Sequence, residues 1–259
     1  MTWAAGRPGS LRRVTGASPD DFRHVAAAPH EPLRTFHPRR AALGRDRADA
    51  LNRLWSRYGF SVHDEALGRG PRTPDGLLDT DALFGRHAPL VLEIGPGMGE
   101  ATVETAADDA ARDYLAVEAH LPGVANLLSL VERAGLTNVR VGHGDALQLV
   151  RESIAPGSLA AVHAFFPDPW PKARHHKRRL IQPDHVRLLR EHLVIGGLLH
   201  TATDWPDYAE QMREVLTADP CLADASADPQ AAQRRTTKFE RLALAQGRTA
   251  VDLVVRRVC

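Results

Sequence analysis

From residue 89 onward, short apolar runs alternate with stretches whose apolar positions recur at helical spacing. The runs are 90–94 (LVLEI), 114–117 (YLAV), 139–141 (VRV), 159–166 (LAAVHAFF) and 197–202 (GLLHTA). Helical stretches fall near 100–110, 121–134, 146–152, 183–193 and 206–217. This β-then-α alternation predicts an α/β fold with a doubly wound, mostly parallel sheet. The ending differs. Residues 237–245 and 249–257 are two strand-like runs around Gln246-Gly247-Arg248, which predicts an antiparallel hairpin closing the sheet edge. Upstream, a helix is expected from Asp46 through Leu51, Leu54 and Trp55 toward Tyr58, with Gly59 as its stop. Residues 64–80 hold Gly and Pro at short intervals and read as a loop. Residues 1–40 are rich in Ala, Pro, Arg and Gly without sustained periodicity, and are expected to form a disordered or loosely held arm. Three units follow: the arm (1–40), a helix and loop packed on the core (41–85), and the main domain (86–259).

The chain has 259 residues, of which 43% are hydrophobic and 25% charged, enough to bury a sizeable core without staples. Its two cysteines, Cys221 and Cys259, exclude a disulfide scaffold and a four-cysteine zinc site. No apolar run approaches a membrane span, and the start has no apolar signal core, so a cytoplasmic protein is expected. Net charge is +1, giving no global field for a polyanion. The distribution is more telling. Of 33 basic residues only Lys172, Lys177 and Lys238 are lysines. A site that keeps lysine in so Arg-biased a sequence points to a need for a compact ammonium on a flexible stem; chance placement is the alternative. Segment 1–47 carries nine arginines against four acids, which suits phosphate contacts or a merely soluble tail.

Chemistry-bearing motifs sit at the ends of the expected strands. In Glu93-Ile94-Gly95-Pro96-Gly97-Met98-Gly99-Glu100 a strand runs through glycines into a helix, so the backbone can turn sharply and approach a ligand. A dinucleotide site offers such a turn to pyrophosphate. Here Glu93 and Glu100 would repel an anion, and a cationic ligand fits better. S-adenosylmethionine, with a sulfonium and an ammonium and no phosphate, is one. A carboxylate about 4 Å from a cation gains roughly 4 kcal/mol at an effective dielectric near 20. Glu118 ends the next strand, where an acid can accept from ribose hydroxyls. Asp145 follows the third strand; it can meet the adenine amino group, cap the helix after it, or do both.

The fourth strand leads into Phe165-Phe166-Pro167-Asp168-Pro169-Trp170-Pro171-Lys172, then Ala173-Arg174-His175-His176-Lys177-Arg178-Arg179. Two prolines stiffen the backbone around Asp168. Trp170 can stack on a base or support the loop. Lys172, Arg174, Lys177, Arg178 and Arg179 are expected to hold phosphates. Asp204 in Thr203-Asp204-Trp205 is either a helix cap or a ligand contact. Thr237, Lys238, Phe239 and Glu240 enter the expected hairpin, as an ordinary edge strand or a contact.

Together EIGPGMGE, FPDPWPK with HHKRR, ATDW and TTKFER resemble the tRNA (guanine-N7-)-methyltransferases, over about residue 85 to the C-terminus and the RTFHPRR…LWSRYG stretch near 34–59. The resemblance implies a Rossmann-like methyltransferase fold, S-adenosylmethionine as donor, and N7 of a guanosine in the tRNA variable loop as acceptor. It implies that Glu93, Gly95, Gly97, Glu118, Asp145 and Asp168 bind the donor, with Asp168 at the reaction centre. Lys172, Asp204, Thr237, Lys238, Phe239 and Glu240 would meet substrate. Ala173, Leu242-Ala243 and Arg248 depart from the family pattern, which often has a basic residue, a glycine and a histidine there.

Guanine N7 carries a lone pair and no proton, so alignment is expected to dominate over base catalysis. The rivals are a nucleic-acid methyltransferase acting on an exocyclic amine, a non-catalytic RNA-binding module, and a nicotinamide dehydrogenase, which the acids around the glycine turn disfavour. No metal is expected, and no obligate protein partner is evident.

Overall fold

The computed structural model describes residues 35–36, 43–228 and 234–259. The arm expected over 1–40 lies outside the described residues, except for Thr35 and Phe36.

Helix α1 (Arg45–Tyr58) buries Ala50, Leu51, Leu54, Trp55 and Tyr58, a single stripe at helical spacing. That stripe lies on α4 (Leu121–Arg133), and Arg53 Nη2 donates to Glu132 Oε2 at 2.8 Å across the contact. After β1 (Gly59–Ser61) the loop runs to a short α2 (Thr80–Phe84). The alternating part then follows as β2 (Leu90–Ile94), α3 (Glu100–Asp108), β3 (Asp113–Glu118), α4, β4 (Val139–His143), α5 (Ala146–Ser153) and β5 (Leu159–Phe165). A 3₁₀ turn (Ala173–Arg178) leads to α6 (Pro183–His192), β6 (Leu193–Thr203), α7 (Pro206–Ala218), β7 (Leu222–Asp224), α8 (Lys238–Ala245) and β8 (Val251–Arg257).

The strands order as β1-β4-β3-β2-β5-β6-β8-β7. All pairings up to β6 are parallel; β8 runs antiparallel to both β6 and β7. The central strands read as unbroken apolar runs because both faces are covered. Leu90 and Leu92 face one hydrophobic cluster with α5, α6 and α7, whereas Val91 faces another with α1 and α4. On β3, Leu115 and Val117 join the first cluster, Tyr114 and Ala116 the second. This two-residue alternation fixes the register of the sheet.

The expected antiparallel edge is present, but not as the expected hairpin. Residues 238–245 are helical, and β8 pairs with Leu222–Asp224 instead. Thr237 caps α8, its Oγ1 accepting from the Glu240 N–H at 3.1 Å. That is the Thr-x-x-Glu signature of a helix start, and it overrides the polar–apolar alternation that suggested a strand.

Cys221 and Cys259 are joined by a disulfide across 38 residues, tying the C-terminus to the start of β7. Cys221→Ser should cost about 2–4 kcal/mol in urea unfolding under oxidising conditions. A variant as stable as the parent would show that the bond is open in solution.

Candidate active site

The chain leaves β2 toward β3 and β4 on one side and returns through β5 and β6 on the other. At such a switch point the loops after the two central strands diverge and leave a crevice. A pocket opens there. Its walls are Ile94, Gly95 and Gly97 after β2, Val117 to His120 after β3, Gly144 to Leu147 after β4, and Phe165 to Asp168 after β5. Leu180, Thr35 and Phe36 complete it.

The glycine turn is left-handed at Gly95 (φ 70°) and Gly97 (φ 63°), a conformation costly for residues with a Cβ. A Cβ on Gly95 would meet nothing within 4 Å, so the turn leaves open space beside the pocket wall. Glu118 is 9% exposed and is fixed by the backbone. Its Oε2 accepts from the Gly97 N–H at 2.9 Å and its Oε1 from the His120 N–H at 2.7 Å.

Glu93 is 6% exposed and lies behind the turn rather than on the pocket wall. Burial, with the like charge of Glu118 adding to it, pushes its carboxyl up to about 7. The Glu118 carboxylate beside a roomy glycine turn, with Glu93 behind it able to give up its proton when a cation lies near, fits a cationic ligand such as S-adenosylmethionine and opposes a pyrophosphate.

Asp145 lines the pocket and caps α5, its Oδ1 accepting from the Leu147 N–H at 2.8 Å and the Gln148 N–H at 3.4 Å. Of the two roles left open by the sequence, the cap is the one observed, and the same residue stands on the pocket wall.

Asp168 stands half-buried on the pocket wall. Phe166 (φ 52°) and Trp170 (φ 45°) hold left-handed backbone on either side of it. Each costs on the order of 1–2 kcal/mol, so surrounding contacts must impose the shape. The Phe166 N–H donates to the Ala202 carbonyl on β6 at 2.8 Å. Trp170 is buried, and its Nε1–H donates to the Thr35 carbonyl at 3.0 Å. The His175 ring meets it edge-on at 5.7 Å, and the Arg178 guanidinium lies 4.9 Å from its centre. The indole supports the loop through protein contacts.

Beyond the loop, Lys172, Arg174 and Lys177 are exposed and Arg178 is half-exposed on the 3₁₀ turn. Arg179 is not with them. It is 1% exposed and bonded into the protein, which corrects the expectation that it holds a phosphate.

Asp204 lies outside the pocket wall, and its Oδ2 accepts from Arg248 Nε at 2.8 Å. It does not cap α7. The departure at Arg248 thus has a local partner. Glu240 pairs with Arg234, whose Nη2 donates to its Oε1 at 3.0 Å and to Asp252 Oδ2 at 2.9 Å. The Arg234 guanidinium also lies 5.6 Å from the Phe165 ring and 5.4 Å from the Phe166 ring. The start of α8 is therefore tethered to the pocket's aromatic wall. Lys238 and Phe239 open that helix, and their side chains lie outside what is described.

Sequence reasoning gave no role to Thr35, Phe36 or Arg234. The first two fall in the RTFHPRR stretch, which carried resemblance without chemistry. Arg234 stands three residues before Thr237, and only folding brings it to Phe165.

A family model described as "Putative methyltransferase" matches residues 87–253. The chain is 44% identical to a Streptomyces avermitilis "tRNA (guanine-N(7)-)-methyltransferase" over 265 aligned residues, covering 98% of this chain and 88% of that protein. It is 48% identical to the protein of the same name from Halorhodospira halophila, covering 86% and 94%. Among solved structures, the 16S rRNA methyltransferase KamB superposes with a TM-score of 0.51 at 13% identity, covering 73% and 95%, which shows a shared fold.

The raised Glu93 carboxyl has a consequence for the ligand-free protein. A folded-state value of about 7 against an ordinary 4.5 means that the folded state keeps a proton the unfolded chain has released. Stability should fall as pH rises from 4.5 to 7, by on the order of 3 kcal/mol from this group. Urea unfolding of wild type and Glu93→Gln across that range should show the wild type losing ground to the variant. Parallel pH profiles would contradict a buried, proton-holding Glu93.

Proposed function

The chain belongs to the tRNA (guanine-N7-)-methyltransferase family, and from that premise we propose that it methylates N7 of a guanosine in the tRNA variable loop, with S-adenosylmethionine as donor. The observation that carries this reading is a convergence. Glu118, Asp145 and Asp168 come from three different strand ends and line one pocket with Gly95 and Gly97.

When bound, S-adenosylmethionine supplies a methyl group activated by a positively charged sulfur. Glu93 and Glu118 offset positive charge at the glycine turn, Glu118 accepts from ribose hydroxyls, and Asp145 accepts from the adenine amino group. Gly95 and Gly97 let the backbone approach closely. Asp168 faces the acceptor. Its carboxylate accepts from the N1–H and N2–H₂ edge of guanine and offsets the charge that grows on the imidazole ring. No base is needed, because N7 has no proton to lose. The residues act by alignment and by fixed charge.

Lys172, Arg174, Lys177 and Arg178 present cations beside this pocket, which suits the phosphates of a folded RNA. The start of α8 and Lys172 are assigned to the acceptor side. Among the described residues no helix is long and apolar enough to cross a membrane. A tRNA acceptor assigns the work to the cytoplasm.

Asp168→Ala should lower single-turnover methyl transfer to unmodified tRNA by about a hundredfold or more. Nuclease digestion and mass spectrometry should place the wild-type product's methyl on N7 of a variable-loop guanosine. Wild-type turnover in the variant would remove Asp168 from the reaction; a methyl on another base or loop would overturn the acceptor assignment.

A further inference from the structure

Arg179 belongs by sequence to a run of cations, yet it is among the largest side chains fully withdrawn from solvent. A buried guanidinium is tolerated only when its donors are met, and here the partners are distributed with a purpose. Nε donates to the Pro169 carbonyl at 2.9 Å, on the residue directly after Asp168. Nη1 donates to Gln211 and Nη2 to Asp207, both on α7. Nη2 also lies 3.1 Å from His176 Nε2 on the 3₁₀ turn. The charge rests 4.8 Å from the centre of the Tyr208 ring. Tyr208 in turn accepts from the Ile181 N–H at 3.0 Å. One side chain thus joins the Asp168 loop, the basic turn and α7.

We propose that Arg179 is the positioning residue of the acceptor site. It holds the peptide between Pro169 and Trp170, where the backbone turns left-handed, and so sets where the Asp168 carboxylate stands. It does not contact RNA. The inference rests on the assignment of Asp168 to guanine. Lysine cannot substitute, because a single ammonium does not present donors in three fixed in-plane directions.

The test uses the full-length protein and an unmodified tRNA transcript, with Arg179→Lys, Asp168→Ala and the double variant. Single-turnover rate, S-adenosylhomocysteine affinity and the salt dependence of tRNA binding are measured for each. Arg179→Lys should slow transfer at least about tenfold, keep donor-product affinity within about threefold, and leave the salt slope unchanged. In the Asp168→Ala background it should cost nothing further, because its effect passes through that carboxylate. Arg179→Gln removes the charge that lysine keeps: its salt slope for tRNA binding should match wild type, and a slope reduced by about one would make Arg179 a phosphate contact and overturn the proposal. The same rate loss in both backgrounds would make it a general structural residue. Wild-type rate in Arg179→Lys, with Asp168→Ala impaired, overturns the inference alone; wild-type rate in Asp168→Ala overturns both assignments. Should Arg179→Lys fail to fold, Asp207→Asn loosens the outer end of the same clamp. It should slow transfer several-fold in the wild-type background and not in Asp168→Ala; an unchanged rate in the wild-type background would overturn the proposal.

Discussion

The Pro-flanked turn after β5 holds a carboxylate in a backbone shape that it would not keep by itself. Phe166 and Trp170 both sit in the left-handed region, and neither is glycine. The shape persists because the surroundings dictate it from four directions. The Phe166 N–H is tied to β6, the Pro169 carbonyl to Arg179, and the Trp170 indole to Thr35, while Arg178 covers the ring. Side chains fixed this way lose little entropy when a substrate arrives, and alignment is what attack by a lone pair on a methyl group needs.

The rest of the fold places this turn opposite a second one. Because β2 and β5 are neighbours with chains running outward on either side, the glycine turn and the Asp168 turn share one crevice. Their chemistry differs as two halves of a transfer site should. The glycine side is acidic and buried, with Glu118 locked by two backbone N–H groups. The far side is aromatic, carries Asp168, and is bordered by exposed cations. Arg234 links Phe165 and Phe166 to Glu240, so the start of α8 moves with the pocket wall.

What was legible in the sequence follows the range of the interaction. Apolar runs doubly covered by helices are local patterns, and β2 to β6 lie where those patterns put them. The acids at strand ends were legible because a parallel sheet gathers its strand ends. The helix at 238–245 was missed although its signal is local: Thr237 and Glu240 stand at capping spacing. Three-residue strands such as β1 and β7 exist only through their partners and leave no trace in periodicity. The pairings that shape the acceptor turn were illegible for the same reason. Thr35 is 135 residues from Trp170, and Asp207 is 28 from Arg179. Composition showed Arg179 as one more cation in a basic run; only its burial reveals it as part of the frame.

The central claim is that one crevice holds the donor between the acidic turns and aims it at the clamped aspartate. A crystal structure with S-adenosylhomocysteine tests this most directly. The account predicts the ribose against Glu118, the adenine beside Asp145, and the sulfur facing the side of the pocket where Asp168 stands. An adenosyl group bound elsewhere, or a sulfur turned away from Asp168, would contradict it.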